Sequence, residues 1–186
     1  MNRSVLVLCC EGFEEIEALS VVDVLRRANV SVTLCSVPGN DIMNGSHGIG
    51  VRADKPFGEK EKAGIGYDAV VLPGGLPNAH LLRDNDGVIE CVKRFFSDGK
   101  LVCAICAAPC VLERAGLLSG RKATSYPGSI KKESCGSYVE DRVVRDANII
   151  TSRGPGTALA FSYEILRALG LGNAADKLEE GMLFGK

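Results

Sequence analysis

Histidine is scarce in this chain: two of 186 residues, His47 and His80. Paired histidines that could complete a zinc site are therefore missing. Cys103-Ala-Ile-Cys106 is the lone C-x-x-C, with no second pair beside it. Charge of one sign is also lacking. The net charge of −1 offers no electrostatic basis for binding nucleic acid or an anionic membrane. Long apolar runs are absent too. The run after Arg3 stops at Glu11, too short to span a bilayer and without a small-residue cleavage site, so it reads as a first strand. Nothing addresses the chain out of the cytosol, and a cytoplasmic location is expected. No linker, repeat or low-complexity stretch divides residues 1–186, so one domain is expected.

Cysteine, by contrast, is plentiful: eight residues, which in a reducing compartment stay thiols. Most fall in apolar segments and read as small core residues. Cys103 lies inside a strand rather than at a helix start, which argues against a dithiol redox pair with Cys106.

Apolar strands alternate with amphipathic helices along the chain. Val5–Cys9, Val30–Val37, Tyr67–Leu72, Lys100–Ile105 and Asn148–Thr151 read as strands. Helices are expected from Glu14–Glu15 through Ala28, at 87–98, at 107–115, from Thr157 and at 173–180. A turn is expected at Pro38-Gly39-Asn40-Asp41, a hairpin arm at His47–Asp54, and short strands at Lys122–Thr124 and Arg142–Val144. This order predicts an α/β fold with a mostly parallel sheet covered on both faces.

In such sheets the sites lie beyond the carboxyl ends of the strands. Three ends carry unusual residues. The first leads to Glu14, Glu15 and Glu17, the third to Gly74-Gly75, and the fourth to Cys106. Cys106 sits where a strand turns into a helix between small residues, the corner called a nucleophile elbow, and a helix N-terminus favours thiolate. Gly74 and Gly75, with the N–H of Ala107, could form an oxyanion hole. Glu17 could reach the thiol as a proton partner, although nothing local separates it from Glu14 and Glu15, which read as helix N-terminal charge complementing the dipole. Neither histidine follows Cys106. His80 reads as an exposed helix or loop residue and His47 as loop surface.

Five motifs occur in register: Gly12-Phe-Glu-Glu-Ile-Glu17, Val21-Val-Asp-Val-Leu-Arg-Arg27, Tyr67-Asp-Ala-Val-Val-Leu-Pro-Gly-Gly75, Ala104-Ile-Cys-Ala-Ala-Pro109 and Thr151-Ser-Arg-Gly-Pro-Gly-Thr157. Together they resemble the ThiJ/PfpI superfamily, in the branch of the parkinsonism-associated protein deglycase and its bacterial relatives. The resemblance spans about residues 4–180. It implies a flavodoxin-like three-layer sandwich that forms a homodimer. It implies an oxidation-sensitive nucleophile at Cys106 and a hydrogen-bonded acid at Glu17. It further implies an oxyanion-binding turn at Gly74-Gly75 and an arginine near the site at Arg27. The implied activities need no cofactor or metal: conversion of a small dicarbonyl such as methylglyoxal to a hydroxy acid, or removal of early glycation adducts from proteins. Stress-protection roles are implied as well, and the alternative is a redox-sensing protein or redox-regulated chaperone that acts through oxidation of Cys106. A peptidase or amidotransferase is disfavoured, because no histidine follows Cys106. One departure stands out: many members carry histidine before the proline that here is Pro127, where this chain has Tyr126. A phenol does not accept a proton near neutral pH as imidazole does.

Overall fold

A computed structural model describes residues 3–37 and 39–185. The turn expected at Pro38 thus begins outside the described residues. The chain opens with β1 (Ser4–Cys9), α1 (Glu15–Arg27) and β2 (Ser31–Ser36). A hairpin of β3 (Ile42–Asn44) and β4 (Gly50–Arg52) follows, then β5 (Lys55–Pro56), α2 (Glu59–Lys62) and β6 (Ala69–Leu72). Next come α3 (Asn78–Arg83), α4 (Asp86–Ser97), β7 (Leu101–Ile105) and α5 (Pro109–Arg114). The last part contains β8 (Lys122–Ala123), β9 (Ser137–Tyr138), β10 (Val143–Asp146), β11 (Ile149–Ser152), α6 (Ala158–Ala168) and α7 (Gly172–Gly181).

The main sheet runs β10-β11-β7-β6-β1-β2-β5. Its strands are parallel except β10, which returns antiparallel beside β11. The alternation of side chains explains the two covered faces. Val5, Val7 and Cys9 of β1 join a core with α1, α6 and α7, while Leu6, Leu8 and Cys10 join a second core with α3, α4 and α5. The mostly parallel α/β sandwich expected from the sequence is therefore present.

Three local expectations change. The stretch 122–124 pairs with β9 in a separate two-stranded sheet, not with the main one. The hairpin arm at 47–54 takes its partner strand from Ile42–Asn44. The helix after Cys106 starts at Pro109, not Ala107. Residues 106–108 form a turn with Ala108 N–H bonded to Ile105 O at 3.0 Å, and a proline, which lacks the N–H, is well placed as the first helical residue.

Candidate active site

The sheet order sets β7, β6 and β1 side by side, so their carboxyl ends meet. Cys106 follows β7 directly and has φ +63°, a left-handed conformation uncommon for a residue with a Cβ. Two backbone bonds fix this corner: Cys106 N–H to Ser152 O at 2.9 Å, and Tyr126 N–H to Cys106 O at 2.8 Å. The residue is 9% exposed.

Glu17 reaches it from the first turn of α1. That turn is capped by Glu14, whose carboxylate accepts the Glu17 N–H at 2.8 Å. The Glu17 carboxyl is fully buried, and its Oε2 accepts the Gly74 N–H at 2.7 Å. Its Oε1 meets no conventional hydrogen-bond partner, and the carboxyl interacts with the Cys106 side chain. Burial pushes the Glu17 pKa up to about 7, against the lowering pull of the Gly74 N–H and Cys106.

The structure corrects the expected behaviour of the thiol. Burial first, and then the Glu17 carboxylate, push the Cys106 pKa up to about 12, although the N–H groups of Ala107 and Gly75 oppose this. The helix terminus thus does not by itself make a thiolate. Instead, the two side chains form a dyad that keeps a proton between them across the neutral range. The carboxyl ionises before the thiol, so the Glu17 carboxylate stands ready to take the proton from the Cys106 sulfur.

The glycines divide their labour. Gly75 N–H, with Ala107 N–H, is directed at the sulfur, as an oxyanion hole requires. Gly74 N–H is committed to Glu17 and so is not available for an oxyanion, a correction to the expected role. A Cβ at Gly74 would lie 2.7 Å from both Cys106 Cβ and Glu17 Oε2, so the dyad closes only around a glycine.

Tyr126 is half-exposed beside the sulfur. A Cβ at Gly154 would lie 3.6 Å from Tyr126 Cδ2 and 4.0 Å from Cys106 Sγ. Tyr126, Pro127, Arg153 and Gly154 border an open cavity of about 310 Å³. Arg27 is not brought here. It ends α1, paired with Asp23 at 2.6 Å, and ten residues of helix place it about 15 Å from Glu17. Among the other thiols, Cys110 turns to Ala79 O at 3.6 Å, away from Cys106, and all eight cysteines are free. His80 lies on α3, a helix the sequence reading did not resolve.

One positioning residue escaped the sequence reading. Asn78 is fully buried: its Oδ1 accepts Cys10 N–H at 2.6 Å, and its Nδ2 donates to Pro73 O at 2.7 Å and Gly74 O at 2.9 Å. It ties the ends of β1 and β6 together beneath the dyad. A single asparagine after a proline carries no local signal for that task.

Comparison with known proteins finds relatives along nearly the whole chain. The description of the DJ-1/PfpI family matches residues 3–168. Protein dj-1beta of Drosophila melanogaster is 38% identical over 186 residues, covering 98% of both chains. Its crystal structure superposes with a TM-score of 0.92 at 37% identity, covering 100% of both chains. An oxidized DJ-1 of Toxoplasma gondii gives 0.91 at 36% identity over 99% of this chain and 100% of its own. A Pyrococcus abyssi protein named a deglycase is 36% identical, covering 89% of this chain and 98% of its own. The chain belongs to the DJ-1/PfpI family.

Proposed function

We propose that this chain is a single-domain stress-protection enzyme of the deglycase type, acting on a small dicarbonyl without cofactor or metal. The observation that carries this reading is the buried dyad: a sulfur with two backbone N–H groups aimed at it and an acid poised near pH 7. With methylglyoxal, the Cys106 sulfur attacks the aldehyde carbon, and its proton is held by Glu17. The new oxygen anion is met by the N–H groups of Gly75 and Ala107. Glu17 hands that proton to the new oxygen, and its freed carboxylate takes the hydrogen from the same carbon as a proton; the hydroxyl proton moves to the neighbouring oxygen, and Glu17 returns its proton to the neighbouring carbon, through an enediol. This leaves a lactoyl thioester on Cys106, which water cleaves to lactate and free thiol. Tyr126, with no imidazole to offer, lines the entrance.

The test is lactate formation from methylglyoxal by the EDTA-treated protein without glutathione. Lactate above the buffer rate is expected, and Tyr126→His raises kcat about tenfold by restoring a base. A wild-type protein at the buffer rate overturns the reading.

A homodimer fits the apolar side chains left outside. Ile16 and Ile49 are more than half exposed and line one open cavity, and Ile42 lies close by. Sedimentation of the same sample is expected at twice the 19.7 kDa chain mass.

A second reading, redox sensing or redox-dependent chaperoning, is favoured by the same N–H pair and acid, which would hold a sulfinate on Cys106. Peroxide titration followed by intact-mass and peptide analysis is expected to place the first two oxygens on Cys106. Oxidation of Cys103 or Cys110 first overturns it.

A further inference from the structure

Arg153 stands beside the dyad, and no step at Cys106 and Glu17 uses it. β11 pairs with β7 in register, Ser152 against Ile105. One residue further along each strand, Arg153 therefore lies next to Cys106, and the bond from Cys106 N–H to Ser152 O at 2.9 Å fixes that placement. The Nη1 of Arg153 is buried and finds no hydrogen-bond partner among the described residues. Glu140 Oε2 stands 3.4 Å from it, but the Glu140 side chain is 71% exposed against 22% for Arg153. An ion pair at such a rim is screened by water and adds little. Arg142 donates to Gly156 O at 3.4 Å, and Asp141 is paired with Lys122 at 3.1 Å. Arg153 borders the open cavity of about 310 Å³ with Tyr126 and Pro127. That is more room than a three-carbon dicarbonyl fills, since pockets of about 300–1,000 Å³ hold ligands of drug size. Gly154 joins this cavity to the sulfur: a Cβ there would lie within 4.0 Å of both the Tyr126 ring and Cys106 Sγ. The cavity shares no lining residue with the Ile16–Ile49 patch.

We propose that Arg153 sets the specificity of the site, selecting dicarbonyls that carry a carboxylate at the end remote from the aldehyde. This rests on the dicarbonyl chemistry proposed above for Cys106. The aldehyde carbon sits on the sulfur, the chain passes Gly154, and the carboxylate reaches the guanidinium. It supplies the close acceptor that Glu140 does not, in the side-by-side geometry a guanidinium fork favours. Bonding at Cys106 makes this second contact intramolecular, so the tethered carboxylate outcompetes the exposed Glu140. The walls suit the rest of the chain, because Tyr126, Pro127 and Pro155 offer apolar surface to methylene groups. For 4,5-dioxopentanoate the chemistry is the same internal transfer as for methylglyoxal. The aldehyde carbon is oxidised to a carboxylate, the ketone carbon is reduced to an alcohol, one water is consumed and one proton is released, giving 2-hydroxyglutarate. No outside oxidant or reductant enters.

The test compares kcat/KM for 4,5-dioxopentanoate and for its methyl ester, which has the same chain without the charge. Wild type is expected to prefer the acid at least about tenfold, chiefly through KM, as one charge-assisted pair supplies. Arg153→Met is expected to bring the ratio to about one, and Arg153→Lys, which keeps the charge but loses the fork, to an intermediate value. A ratio taken within one protein does not depend on how much of it is folded. Binding is measured apart from turnover by calorimetric titration of glutarate, an inert five-carbon dicarboxylate, into Cys106→Ser with and without Arg153→Met. Glutarate binding that Arg153→Met removes supports the subsite even in a protein that converts no methylglyoxal, an outcome that faults the dyad chemistry alone. A ratio near one in a wild type that converts methylglyoxal, an unchanged preference in Arg153→Met, or no glutarate binding at millimolar concentration overturns the proposal.

Discussion

Glu17→Gln is expected to abolish most lactate formation and yet to stabilise the fold. The carboxyl is fully buried, with a pKa near 7 rather than the ordinary 4.5. In the unfolded chain it ionises freely from about pH 4.5 upward. In the folded chain it resists until about pH 7, so the native state loses stability across that window and the loss is complete above it. Holding the carboxyl from 4.5 up to about 7 costs on the order of 3 kcal/mol. Glutamine removes this penalty and can still accept the Gly74 N–H. Urea unfolding is therefore expected to show no difference from wild type at pH 4 and a gain approaching 3 kcal/mol at pH 8. Lactate formation falls by about 10²- to 10⁴-fold, the usual contribution of a placed proton carrier. Cys106→Ala also loses lactate formation but keeps the wild-type decline in stability between pH 4.5 and 7, because Glu17 remains. Equal stability of Glu17→Gln and wild type at pH 8, or lactate formed by either variant at the wild-type rate, contradicts the dyad.

Gly75→Ala is expected to damage fold and site together. Gly75 has φ +86°, and a Cβ there would collide with Glu14 N and Gly12 O and come within 2.7 Å of Phe13 C. All three are backbone atoms, so no rotamer change relieves the clash. They belong to the segment that leads from β1 into α1, which also carries Glu14 and Glu17. Strained φ and overpacking together cost about 2–4 kcal/mol, read as a lower urea midpoint. The folded fraction is expected to lose activity as well, since the Gly75 N–H shifts away from the sulfur. As a control, alanine at Gly156, where a Cβ meets nothing within 4 Å, should leave the midpoint within about 0.5 kcal/mol of wild type. A Gly75→Ala midpoint equal to wild type contradicts this account.

Much of the architecture could be read from the chain because its signals are local. Val5–Cys9, Val70–Leu72 and Leu101–Ile105 are continuous apolar strands, buried on both sides, as a parallel sheet demands. Cys106 between small residues marked the elbow. What was missed depends on contacts across space. The six-residue α3 is too short for a periodic pattern, and its Asn78 works through Cys10, Pro73 and Gly74. Glu15 and His47 pair across 32 residues. Arg27 looked near the site because its motif follows Glu17 closely in sequence, but a helix carries it away by its own rise. The pKa of Cys106 could not be read at all, because burial and the neighbouring Glu17 carboxylate outweigh the local N–H groups.

The backbone of Cys106 carries a further lesson. At φ +63° the residue that folding alone would select is glycine, which meets no steric penalty there. A drift toward thermal robustness at this corner would therefore end in a sturdier and chemically silent protein. Cysteine stands at a position where conformational preference and the proposed sulfur chemistry pull in opposite directions.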